Sequence, residues 1–154
     1  MDREILSRYS KGLIATTACL ASETSRLILD KDDKKLAETI GEYREIFGKD
    51  NYYLELQHHP SIPEQQVVNQ RLKAIAQKEN LPLIATNDVH YVRSEDSVPH
   101  DMLVCIQTGK LVSDTNRMIY SGDFSLKSAE DFQRAFNDVP EALSNTLRIT
   151  DMVN

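Results

Sequence analysis

The stretch Pro82-Leu83-Ile84-Ala85-Thr86-Asn87-Asp88-Val89-His90-Tyr91 decides how this chain is read. Its first half, Leu83 to Ala85, is short and apolar, as a buried strand requires. Its second half is polar and sets a carboxylate and an imidazole just beyond the strand end. In extended backbone, residues two apart project the same way, so Asp88 and His90 are predicted to approach one ion together.

The same order recurs upstream. Gly12 to Ala18 (GLIATTA) predicts a strand that ends at Cys19, and Tyr52 to Gln57 (YYLELQ) predicts another that ends at His58 and His59. Between them, Cys19 to Leu29 predicts a helix and Asp30-Lys31-Asp32-Asp33 a turn whose late aspartates can cap the next helix. Leu36, Ile40, Tyr43 and Phe47 then fall three or four apart, which builds one apolar helical stripe, and Gly48 supplies its stop. Pro60 and Pro63 exclude a regular element across 58–63, and Pro63 opens a helix buried through Val68, Leu72, Ile75 and Ala76.

Downstream, Ser94 is expected to cap a helix reaching about Gln107 and closed by Gly109. Met118 to Leu126 predicts a short strand broken at Ser121-Gly122-Asp123, and closing helices follow Ser128 and Pro140. Strands that alternate with helices imply right-handed βαβ units on a parallel sheet. The predicted fold class is therefore α/β, with mainly parallel strands and surrounding helices. A whole eight-stranded barrel needs roughly 200 residues or more, so 154 residues hold only part of one.

Active sites of parallel α/β folds lie at the carboxyl ends of the strands. On a parallel sheet, Cys19, His58, His59, Asp88 and His90 all emerge on one rim. Thiolate, imidazole and carboxylate are the donors that zinc or manganese takes. Each residue also has an ordinary structural role: Cys19 as a small buried hydrophobe, Asp88 as a turn residue, and His58 and His59 as solvated loop residues. His100 falls inside a predicted helix, where packing or surface exposure is its expected role.

Composition narrows the rest. A hydrophobic share of 40% with 27% charged residues suits a folded domain. A formal net charge of −6 argues against a free-standing basic nucleic-acid binder. No apolar run approaches the ~20 residues a membrane span needs, and Met1-Asp2-Arg3-Glu4 lacks the apolar stretch of a secretory signal. Cys19 and Cys105 match no zinc-finger spacing, so a cytoplasmic compartment without membrane attachment is expected. Gln107-Thr108-Gly109-Lys110 is no phosphate loop, because Val104 replaces the first glycine, Leu111 replaces the Ser/Thr, and a helix precedes it. There is no G-x-S-x-G and no dinucleotide fingerprint.

Several longer stretches carry a resemblance. Gly12-Leu13-Ile14-Ala15-Thr16-Thr17-Ala18-Cys19-Leu20-Ala21-Ser22-Glu23, Tyr53-Leu54-Glu55-Leu56-Gln57, the stretch from Pro82 to Tyr91, and Cys105-Ile106-Gln107-Thr108-Gly109-Lys110 resemble the C-family bacterial replicative polymerases, the DNA polymerase III alpha subunits. Asn116-Arg117-Met118, Leu126-Lys127-Ser128 and Pro140-Glu141-Ala142-Leu143 continue it. The resemblance implies that residues 1–154 are the C-terminal part of a PHP (polymerase and histidinol phosphatase) domain. Residues from about 140 onward would lead toward the palm. That domain is an irregular β/α barrel with metal at the carboxyl rim of its strands.

Position by position, Cys19, Asp88 and His90 match metal-binding residues of the family. His59 is the weaker match, because Ser61 lengthens the segment after it. Ala18 and Ser22 stand where glycines are usual. The family's His-x-His strand lies earlier than the matching segment and its palm aspartates lie later, so the chain is expected to be a fragment. The implied cofactors are zinc or manganese at the PHP site and magnesium at a polymerase site outside this chain.

The implied activity is DNA synthesis by the parent, with the PHP region supplying part of a metal-dependent 3′–5′ exonuclease or phosphoesterase site. The alternative is a metal-free module that braces the polymerase. A free-standing PHP phosphoesterase is disfavoured by the segment from Cys105 to Lys110. Implied partners are the rest of the alpha subunit, DNA through the parent, and the proofreading and clamp subunits. The isolated chain is expected to bind metal weakly and to expose apolar surface.

Overall fold

The computed structural model describes residues 2–153; of the amino-terminal stretch considered above, Met1 lies outside it. The first helix, α1 (Arg3–Tyr9), buries none of its residues. It is held from outside: the Asp2 side chain caps it by accepting from the Ile5 amide, and Arg3 pairs with Glu23 at 2.9 Å and Glu42 at 2.5 Å.

Among the described residues, three strands form the sheet, β1 (Ala15–Thr16), β2 (Tyr52–Gln57) and β3 (Leu83–Thr86), in the order β1-β2-β3 with both pairs parallel. The crossovers are α2 (Glu23–Leu29) with α3 (Asp33–Phe47), and α4 (Pro63–Glu79). A 3₁₀ turn (Ser94–Asp96) leads into α5 (Ser97–Thr108), and α6 (Ala129–Ala135) and α7 (Pro140–Met152) close the chain. The architecture is mixed α/β with a partial parallel sheet. Among the described residues, no helix is long and apolar enough to cross a membrane.

The central elements follow the sequence pattern. Asp32 caps α3 by accepting from the Lys35 amide, Gly48 ends it at φ +80°, and Pro63 occupies the opening of α4. Three boundaries differ from expectation. The first strand shrinks to Ala15–Thr16 because Gly12 at φ +82° and Ala18 at φ +57° bend the chain on either side. The helix predicted from Cys19 starts at Glu23, since the Ser22 hydroxyl accepts from the Ser25 amide and residues before it form a turn. The helix predicted from Ser94 begins as a 3₁₀ turn and becomes α-helical at Ser97.

Residues 118–126 contain no strand. Their only ladder contact is one parallel bridge between Tyr91 and Ser125, and Gly122 at φ +151° breaks the extended run beside it.

All six residues of β2 are buried. Tyr52, Leu54 and Leu56 point into the core, where they meet Leu36 and Ile40 of α3 and Val68, Leu72 and Ile75 of α4. The outer edge of β3 would present bare carbonyls. Helix α7 covers it: Asn145 Nδ2 donates to the Leu83 carbonyl at 2.7 Å and Thr146 Oγ1 to the Ala85 carbonyl at 3.0 Å.

Candidate functional site

The carboxyl ends of the strands meet at one pocket. Its lining includes Cys19 from beyond β1, Gln57 and His59 from the end of β2, Asp88 and His90 from beyond β3, and Phe124 from the long loop. The pocket encloses about 320 Å³. The parallel sheet thus places the predicted rim residues together, with one exception. His58 turns away, packs edge-on against Phe136 at 6.1 Å, and lines a neighbouring cavity of about 680 Å³ with Lys127 and Asp131. Burial, then His59 and Lys127, lowers the pKa of His58.

Asp88 and His90 do not meet by strand alternation. β3 ends at Thr86, and Asp88 has φ +48°, a left-handed conformation that short polar side chains tolerate better than others. Ala18 holds the equivalent position beyond β1 at φ +57°. The cost for an alanine there is about 1 kcal/mol, which explains why a glycine suits that place.

The turn leaves the Asp88 carboxylate between two imidazoles. His59 Nε2 lies 3.1 Å from Asp88 Oδ2, and His90 Nε2 lies 3.4 Å from Asp88 Oδ1. His59 donates in the shorter contact when Nε2 carries the proton. That hydrogen bond, aided by the charge of His90 when protonated, holds the Asp88 carboxyl below the ordinary carboxylate range, against the opposing effect of burial. His59 is buried, and its Nδ1 has no hydrogen-bond partner among the described residues.

Aromatic rings fix both histidines. Phe124 sits 4.4 Å from the His59 ring and 4.9 Å from the His90 ring, and Tyr120 sits 4.7 Å from His90. His100 joins this cluster at 5.6 Å from His90, the packing role expected of it. Cys19 carries a free, half-buried thiol on the same pocket wall.

Thiol, carboxylate and imidazole are the donor types that zinc and manganese take, so the set of side chains suits such an ion. Their present arrangement is looser than a finished site. Among the described residues, no group of three or more His, Cys, Asp and Glu side chains is close enough to hold a metal. The two oxygens of Asp88 are instead engaged by His59 and His90.

One polar residue behind the pocket escaped the sequence reading. Glu55 lies inside a predicted strand, and it is buried in the middle of β2 with its carboxylate fully engaged by side chains. A carboxylate inside an otherwise apolar strand is itself the signal, since burying it is costly unless it is hydrogen-bonded.

Comparison with known proteins gives the setting. Residues 1–59 match the PHP domain family, a span that includes Cys19 and His59 and stops short of Asp88 and His90. The chain is 43% identical over 152 residues to the DNA polymerase III subunit alpha of Borreliella burgdorferi, covering 98% of this chain and 13% of that protein. The corresponding protein of Treponema pallidum is 40% identical over 155 residues, with 100% and 13% covered. That of Thermus aquaticus is 40% identical over 157 residues, with 99% and 13% covered. The chain therefore spans 13% of the length of these curated relatives.

Proposed function

Because the chain is related along its whole length to bacterial DNA polymerase III alpha subunits, we propose that it forms the C-terminal part of a PHP domain in such a subunit and contributes ligands to a divalent-metal site there. The observation that carries this reading is the gathering of Cys19, Asp88, His90 and His59 at one pocket on the carboxyl rim of a parallel sheet. Cys19, Asp88 and His90 would be the ligands, and residues on other segments of the subunit would complete the set.

Zinc or manganese bound there would supply an activated water and charge stabilisation for 3′–5′ phosphodiester cleavage. The chain's own contribution is positional. His59 orients Asp88 through Nε2, the lowered pKa of Asp88 keeps an anionic ligand available, and Phe124 packs on both histidine rings while Tyr120 packs on His90. In this reading, DNA synthesis, its magnesium and contacts with the proofreading and clamp subunits belong to the whole protein, acting in the cytoplasm.

A second reading is a metal-free brace for the polymerase. The engagement of both Asp88 oxygens by imidazoles favours it, because that arrangement is self-contained. Substituting Cys19→Ala, Asp88→Asn and His90→Ala in the full-length protein separates the two. Metal content and 3′–5′ nuclease activity should fall in all three variants while primer extension persists. Unchanged metal and nuclease activity in every variant would favour the brace.

A further inference from the structure

The strands that carry Cys19 and Asp88 are not neighbours. β1 and β3 both pair with β2 and not with each other, so the spacing of their ends is set across the middle strand. β1 is only two residues long, and its backbone links to the β2 side include Ala15 N to Asn51 O at 2.8 Å and Thr17 N to Tyr53 O at 3.1 Å. So short a ladder holds its carboxyl end weakly.

We infer that Glu55 is a positioning residue, whose buried carboxylate clamps β1 and β3 at the spacing that brings Cys19 and Asp88 to one pocket. This rests on the metal-site reading above. Thr16 Oγ1 of β1 donates to Glu55 Oε2 at 2.5 Å, and Thr86 Oγ1 of β3 donates to Glu55 Oε1 at 2.5 Å. Gln57 Nε2 donates to the same Oε1 at 3.0 Å, and Gln57 itself lines the pocket. The Glu55 amide donates to Thr17 Oγ1 at 2.8 Å, a second tie to the segment that leads to Cys19.

Thr16 lies three residues before Cys19, and Thr86 lies two residues before Asp88. One carboxylate therefore reaches the last residue of both outer strands, immediately below the pocket. An apolar side chain of similar volume would fill the same buried place without the desolvation cost of a carboxylate. The clamp accounts for the acid being there.

Cobalt(II) binding to the full-length protein tests this through the cobalt–thiolate absorption band, a readout independent of catalysis. Wild type should show the band and lose it in Cys19→Ser. Glu55→Met keeps the volume and removes both arms; it should weaken cobalt binding by about 10-fold or more, as loss of a group supporting metal ligands does. Glu55→Gln should stay close to wild type, because threonine hydroxyls both donate and accept and the amide can keep both links. Thr86→Val, which removes one arm, should fall between. Val68→Ala, a core substitution away from the pocket, should lower the unfolding midpoint without changing cobalt affinity.

Wild-type affinity and band intensity in both Glu55→Met and Thr86→Val would overturn the clamp while leaving the metal site standing. Absence of the thiolate band in wild type would overturn the metal-site reading and the clamp with it.

Discussion

Tyr52, Leu54 and Leu56 leave β2 on one side and enter the helical core, whereas Tyr53, Glu55 and Gln57 leave it on the other, where Gln57 lines the rim pocket. Both sets are buried. The first gains from burial alone, which is non-directional and tolerant of repacking. The second includes Glu55 and Gln57, whose polar atoms need partners at fixed distances, and these come from β1 and β3. One strand thus joins a face that stabilises the domain to a face that arranges chemistry, and substitutions on the two should fail differently.

The largest effect should come from the apolar side. Leu56→Ala opens a cavity in the core and should cost about 2–5 kcal/mol in denaturant unfolding, with the pocket residues still in place once the protein is folded. An effect below 1 kcal/mol there would break the distinction between the faces. At the sheet edge, Asn145→Ala strips the Leu83 carbonyl of its α7 donor and should cost about 1–3 kcal/mol. A neutral result would mean that water replaces the helix as a partner for β3.

A smaller gain is expected at the rim. Ala18→Gly relieves the left-handed backbone, less the greater freedom of glycine in the unfolded chain, and should stabilise by up to about 1 kcal/mol. Destabilisation by that amount would show that the turn tolerates alanine without strain.

The smallest effect concerns pH. The folded-state pKa of Asp88 lies below its ordinary value of 3.8, so its contribution to stability is complete above that pH and is lost as pH falls through the lower folded value. Wild type should lose stability on acidification below pH 3.8 more steeply than Asp88→Asn. Parallel acid limbs would remove Asp88 from the account.

Much of this contrast is legible in the sequence. The periodicity of α3 and α4, the cap at Asp32, the stop at Gly48 and the proline at the start of α4 all agree with one another, and a parallel sheet dictates that its carboxyl ends share a rim. What the sequence conceals depends on distant partners or on backbone bends. Helix α1 buries none of its residues and is tied to α2 and α3 by ion pairs from Arg3. Phe124 reaches the histidines from a loop whose residues resemble a strand locally. The left-handed turns at Ala18 and Asp88 are only weakly marked, by a turn-forming aspartate at one and an alanine where the resemblance expects glycine at the other. The role of Glu55 depends on Thr16 and Thr86, which lie 39 and 31 residues away.

The central claim is that the polar rim gathers ligands for a metal. Zinc-edge X-ray absorption on the zinc-loaded full-length protein tests it most directly. The account predicts a sulfur scatterer at about 2.3 Å beside nitrogen and oxygen at about 2.0–2.2 Å, with the sulfur lost in Cys19→Ser and the shell of light atoms thinned in His90→Ala. A zinc site without sulfur, or one that Cys19→Ser leaves unchanged, would contradict it.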